Sequence, residues 1–218
     1  MLGLMMDAPL LLSNLIEYAA RHHGGTEVVA LAPSGVKQRE TWAGMRRRSK
    51  RLAKALSALG WNGDSRVATL AWNTLDHLET YYATLGIGVP LHTLNPRLAA
   101  TDLAYMVDLV GDTICFIDGG TIDIAEALAP LCPGVKTWIY LDSDGPPRAH
   151  TLGGLITRTD LVGATDDAFD WPVFDERRAS TICFTSGTTG KPKGVVYSHR
   201  SVTLTAMNMT MADQYATE

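Results

Sequence analysis

The chain switches repeatedly between short apolar runs of strand length and longer stretches with helical periodicity, and that alternation constrains its fold more than any other feature. Residues 66–71 read as a buried strand; Leu75, Leu78, Tyr82 and Leu85 follow at helical spacing, with Asn73 or Thr74 as the cap. Residues 86–92 return the chain through a short strand, Thr101 opens a helix to about residue 110, and 113–117 is a strand. A helix over 122–129 and a strand over 135–141 continue the pattern. This order predicts an α/β fold, a mostly parallel sheet flanked by helices. Upstream, 14–23 reads as a helix closed by Gly24-Gly25, and 27–32 and 36–40 as two strands around the Pro33-Ser34-Gly35 turn. Thr41 then caps a long basic helix that ends at Gly60. Residues 142–149 form a polar connector, 151–157 read as a weak helix, and a loose acidic stretch runs to Asp175. We therefore expect one unit over 1–175 and the start of a second over 176–218.

Composition excludes several classes. With 46% hydrophobic and 19% charged residues and a net charge of −4, the chain has neither a basic stripe for nucleic acid nor an apolar run long enough to span a membrane. Its one basic cluster, Arg46, Arg47, Arg48, Lys50, Arg51 and Lys54, shares a helix with the apolar stripe Met45, Leu52, Leu56 and Leu59 and reads as a solvated face. Residues 1–12 lack the basic start of a signal peptide. The three cysteines, Cys115, Cys132 and Cys183, are odd in number and without CxxC spacing, so they read as free, partly buried thiols, as suits a cytoplasmic protein. His77-Leu78-Glu79 matches half of a zinc motif, but no PCxxC follows, and no HExxH spacing occurs; no residue is assigned to a metal.

Chemistry concentrates in residues 180–199, STICFTSGTTGKPKGVVYSH. A strand over 181–184 enters a polar loop and emerges as a second strand over 194–197, after which Ser198 and His199 cap or start a helix. Gly187, Gly190 and Gly194 let the backbone turn sharply and approach a ligand, and successive N–H groups in such a turn form a concave anion site. Thr185, Ser186, Thr188 and Thr189 add hydroxyl donors, and Lys191 and Lys193 add charge on either side of Pro192. Hydroxyls, glycines and lysines together suit a polyphosphate, although a surface loop shares much of that composition. The spacing is not that of a Walker A loop, because Gly187 and Gly190 are too close and Lys191 precedes Pro192.

The order of residues resembles, position for position, the Thr-Ser-Gly-Thr-Thr-Gly-x-Pro-Lys-Gly signature of the adenylate-forming superfamily, which holds acyl-CoA synthetases, peptide-synthetase adenylation domains and luciferase. Upstream, Thr41-Trp42, Gly63-Asp64 and Arg66-Val67-Ala68 are similar to the family's approach to its first core strand. The segment 88–98, GVPLHTLNPRL, resembles medium-chain fatty-acyl-CoA and methylmercaptopropionyl-CoA ligases. The resemblance implies the N-terminal portion of the large domain of an AMP-forming acyl-CoA ligase, with ATP, Mg²⁺ and coenzyme A taking part and room for a homodimer. It implies that Thr185, Ser186, Gly187, Thr188, Thr189, Gly190 and Lys193 hold the β- and γ-phosphates, with Lys191 at a variable position. The family's adenine, ribose and catalytic-lysine elements lie beyond these motifs, so no catalytic residue is assigned and the 218-residue chain alone is expected to be an inactive fragment. The alternatives are a nucleotide- or anion-binding module and an inert structural piece.

Overall fold

The computed structural model describes residues 1, 3, 5–185 and 191–210. In chain order the elements are α1 (Leu12–His22), β1 (Glu27–Leu31), β2 (Lys37–Thr41), α2 (Trp42–Ala58), β3 (Val67–Leu70), α3 (Leu75–Gly86), β4 (Leu91–Thr93) and α4 (Ala100–Val110). They continue with β5 (Ile114–Ile117), α5 (Ile122–Leu128), a 3-10 turn (Ala129–Leu131), β6 (Thr137–Tyr140), β7 (Leu155–Thr157), α6 (Arg158–Val162), β8 (Ala179–Thr185), β9 (Lys193–Ser198) and α7 (His199–Met209). Among the described residues, β1 and β2 form a separate antiparallel ribbon, and seven strands form one sheet in the order β7-β6-β5-β3-β4-β8-β9. Every neighbouring pair in that sheet is parallel except β8–β9.

Both faces of the sheet are covered, so its central strands are buried throughout and read as continuous apolar runs. Alternation along β5 and β6 divides the core. Cys115, Ile117, Trp138 and Tyr140 meet Leu103, Val107, Ile122 and Leu128 from α4 and α5. Ile114, Phe116 and Ile139 meet Leu12, Leu52, Leu56, Leu85 and Val162 on the opposite face, from α1, α2, α3 and α6. The expected caps form where the sequence offers a hydroxyl: Thr41 accepts from Gly44 N, Thr74 from His77 N, and Ser198 shares a capping box with Ser201. α4 starts one residue before Thr101, with Ala99 at the cap position and no side-chain cap. The thiols of Cys115, Cys132 and Cys183 are free, the first two buried.

Two local expectations are corrected. Residues 151–157 are not helical: Leu155–Thr157 is a strand, parallel to β6 with Trp138 opposite Leu155, and the helix begins at Arg158 under a Thr157 cap. Gly154, with φ +70°, makes the left-handed turn that starts this edge strand, and an available partner strand outweighs a weak local helix preference. The strand expected over 86–92 narrows to Leu91–Thr93, because α3 runs through Gly86 and Gly88 sits at φ +76°.

The basic helix is corrected more substantially. Arg47 stays exposed, but the other five charges of the cluster find partners within the molecule. Arg46 and Lys50 bind Glu17 of α1, Lys54 binds Asp166, and Arg51 donates to the Thr165 carbonyl at 2.6 Å. Arg48 pairs with Asp76 and with Glu79, both on α3. Arg158 of α6 reaches the same Glu79 carboxylate at 2.6 Å, and Ser143 N donates to Asp76 at 2.9 Å. The 142–149 connector is thus tied into the body of the sheet. The strap before β8 is held likewise: Trp171 Nε1 donates to Glu17 at 2.8 Å, and its ring lies over Gly86, where a Cβ would collide with it.

Candidate functional site at the carboxyl edge of the sheet

The loop after β3 leads to α3 on one face, whereas the loop after β4 leads to α4 on the other. Diverging connections at the carboxyl ends of adjacent parallel strands leave a crevice, the usual ligand position in such folds. A cavity of about 730 Å³ occupies this place, lined by Ala71, Trp72, Tyr81, Thr93 and Leu94 and by the β1 residues 28–30. Its volume and mainly apolar wall are those of a small-molecule pocket. β8 is parallel to β4, so Cys183 and Phe184 end at this same edge and line the cavity too.

The polar groups around it are ordered. His77 lies with Nδ1 3.1 Å from the Trp72 carbonyl and Nε2 3.0 Å from Thr69 Oγ1. Burial holds its pKa below the usual histidine value, so Nδ1–H donates to the carbonyl and Nε2 accepts from the hydroxyl. Asp118 accepts from Trp72 N at 2.6 Å and Gly120 N at 2.9 Å, which clasps the β3–α3 and β5–α5 loops together. Burial pushes the Tyr81 phenol up to about 12, so it stays neutral. Arg97 lies over the Trp72 ring at 5.3 Å, a cation on an aromatic face at the cavity mouth.

Of the residues expected to grip phosphate, Thr185 closes β8 and Lys193 opens β9, and the structure pairs them across the antiparallel ladder. Two residues eight positions apart thus form the closed base of the loop. Ser186, Gly187, Thr188, Thr189 and Gly190 lie outside the described residues. Lys193 is exposed and takes part in none of the ion pairs among the described residues. Lys191 instead carries its ammonium 4.7 Å from the centre of the Tyr105 ring on α4. The crevice residues Trp72, Tyr81 and Arg97 were missed by sequence reasoning. They come from three separate segments whose convergence carries no local signal.

His77 and Glu79 do not act as a metal pair: His77 faces the crevice while Glu79 is buried in the arginine network. Among the described residues, no three His, Cys, Asp or Glu side chains cluster so as to hold a metal ion. We therefore derive no step through Mg²⁺ from this chain.

His199 begins α7 as a fully buried ring, away from the crevice. Its Nδ1 accepts from Leu12 N at 3.4 Å and the ring stands edge-on to Phe174 at 4.9 Å. Burial, with Arg178 nearby, drives its pKa down to about 4. In the unfolded chain a histidine titrates near 6.5, so between those values the unfolded state binds the extra proton. Stability from this residue is complete above about pH 6.5 and falls by about 3 kcal/mol as pH drops to about 4. His199→Gln is expected to flatten that part of the profile. Urea midpoints of both proteins at pH 7 and pH 4.5 check it; identical pH slopes would defeat the assignment.

Comparison with known proteins agrees with the fold. Residues 16–218 match the family described as AMP-binding enzyme. The chain belongs to the AMP-binding enzyme family. Over 213 residues it is 41% identical to a medium-chain-fatty-acid–CoA ligase of Ectopseudomonas oleovorans, covering 98% of this chain and 39% of that protein. Over 204 residues it is 42% identical to a 3-methylmercaptopropionyl-CoA ligase of Ruegeria lacuscaerulensis, covering 94% of this chain and 38% of that protein. The chain thus spans well under half the length of these relatives. A solved red-emitting luciferase from Phrixothrix hirtus superposes with a TM-score of 0.81 at 22% identity, covering 97% of this chain and 53% of that one, and so shares the fold. No helix among the described residues is long and apolar enough to cross a membrane.

Proposed function

We propose that the protein carrying this chain is an AMP-forming acyl-CoA ligase acting on a short- to medium-chain carboxylic acid. The observation that carries this reading is the Thr185–Lys193 pair, which closes the base of the hydroxyl- and glycine-rich loop beside an apolar crevice. The names of the most similar relatives supply the reaction class. A carboxylate oxygen attacks the α-phosphorus of ATP and expels pyrophosphate; the thiol of coenzyme A then attacks the acyl carbon and expels AMP. In this chain the Thr185 hydroxyl donates to a phosphate oxygen, and the Lys193 ammonium neutralises charge that grows on the departing pyrophosphate. The ladder fixes both backbones beside each other before reaction, so less ordering is needed when the nucleotide binds. Mg²⁺ would enter with the nucleotide and supply further charge neutralisation.

We keep the division near residue 175 within this reading: residues 176–218 add the strand pair whose turn carries the phosphate contacts. The relatives are longer than this chain, so the assay uses the complete gene product with ATP, coenzyme A and a panel of straight-chain acids. Acid-dependent release of AMP is expected; a flat response across the panel would sink the reading.

A further inference from the structure

Beneath the base of the loop lies a buried polar pair that neither the phosphate grip nor the crevice uses. His92 of β4 and Asp112, just before β5, are both buried, with Nδ1 and Oδ2 2.6 Å apart. His92 Nε2 and Asp112 Oδ1 are buried with no hydrogen-bond partner among the described residues. Two buried polar atoms without partners are costly, and apolar residues of similar volume would pack at least as well.

The geometry shows what the pair touches. His92 stands opposite Ile182 on parallel strands, and Phe184 lies two residues on, so all three share one face of the sheet. The Phe184 ring packs on His92 with centroids 5.1 Å apart. Across the ladder Phe184 pairs with Gly194, and the next pair is Thr185 with Lys193. A Cβ at position 194 would meet three ring atoms of Phe184 at 3.0 to 3.3 Å. The half-buried ring therefore lies between the His92 imidazole, whose Nδ1 is 2.6 Å from Asp112, and the bare backbone of Gly194.

Building on the ligase reading, we propose that Phe184, buttressed by the buried His92–Asp112 pair and seated on Gly194, is a positioning residue that aims Thr185 and Lys193 at the polyphosphate. Any side chain at 194 would push the ring by a few tenths of an ångström. Ring and glycine set the local twist of the hairpin, and the phosphate contacts inherit it. Small displacements of such contacts cost large factors in rate or affinity.

The test uses Gly194→Ala, Phe184→Leu and Phe184→Tyr in the complete gene product. Three quantities are read: calorimetric affinity for inorganic tripolyphosphate, KM for ATP against KM for the acid, and the thermal midpoint. Gly194→Ala and Phe184→Leu are expected to weaken tripolyphosphate binding and raise KM for ATP about tenfold. For Gly194→Ala, which leaves the Phe184 side chain in the crevice wall, KM for the acid should stay within about twofold, and Phe184→Tyr, which keeps the ring, should restore the ATP value. Should Gly194→Ala not fold, Phe184→Leu carries the comparison, since it removes the ring and adds no bulk. A fallen thermal midpoint with unchanged tripolyphosphate affinity and ATP KM would make the stack mere packing and overturn the proposal. A wild type that binds tripolyphosphate but forms no AMP defeats the ligase reading alone, and binding still judges the stack. No tripolyphosphate binding and no AMP formation would overturn both.

Discussion

Glu79→Ala is expected to destabilise the protein by about 3 to 5 kcal/mol, the loss typical of removing one partner from a buried ion pair. The Glu79 side chain has no solvent exposure. One carboxylate oxygen takes Arg48 Nε at 2.9 Å; the other takes Arg158 Nε at 3.0 Å and Nη2 at 2.6 Å. Arg48 is further shared with Asp76, which also holds the Ser143 hydroxyl. Alanine would leave two largely buried guanidinium groups facing a void, and their desolvation would no longer be offset. Glu79→Gln keeps an acceptor but loses the charge, and its loss should fall between wild type and alanine. Replacing Arg48, Asp76, Glu79 and Arg158 together by Met, Asn, Leu and Met, so that Asp76 is not left as a lone buried charge, should recover most of the stability, because it is the unpaired charge and not the missing pair that is costly. Urea unfolding midpoints at pH 7 read all of this; a loss under about 1 kcal/mol for Glu79→Ala would show that water reaches the arginines.

The largest expected effect on activity separates the two lysines of the loop. Lys193→Met in the complete gene product is expected to lower kcat/KM for ATP by about 100-fold, the scale for deleting one preorganised donor to developing charge. Lys191→Met is expected to cost less than about fivefold, the value of an exposed cation–aromatic contact. The reason is position. Lys193 stands in the ladder opposite Thr185, in the base of the loop. Lys191 has its ammonium over the Tyr105 ring of α4. Steady-state AMP formation at saturating acid and coenzyme A distinguishes the two. Equal losses would mean that Lys191 leaves Tyr105 for the phosphates, and the division of labour would be wrong.

Much of the architecture was legible in the sequence because its signals are local. Helical spacing over 75–85 predicted α3, and Thr41, Thr74 and Ser198 stand at the caps their hydroxyls suit. The loop's residue order pointed to the family that residues 16–218 match. Other features escaped. β7 exists because β6 offers it a partner, and nothing within 151–157 announces that. The basic run on α2 looked solvated because its acceptors, Glu17, Asp76, Glu79, Asp166 and the Thr165 carbonyl, are scattered along the chain.

The alternating strand and helix signals are local, and the arrangement of the elements they specify is not. By itself the sequence determined which segments become strands and helices over most of the chain, where hydroxyl caps start them, and what chemistry the 185–194 loop suits. Such information resides in residues within a few positions of one another. Only the tertiary structure decided the strand order β7-β6-β5-β3-β4-β8-β9, the divergence of loops that opens the crevice, and the pairing of Thr185 with Lys193. It also decided which charges are buried. Desolvation and pairing act between groups brought together by folding, as with Arg158 and Glu79, 79 positions apart.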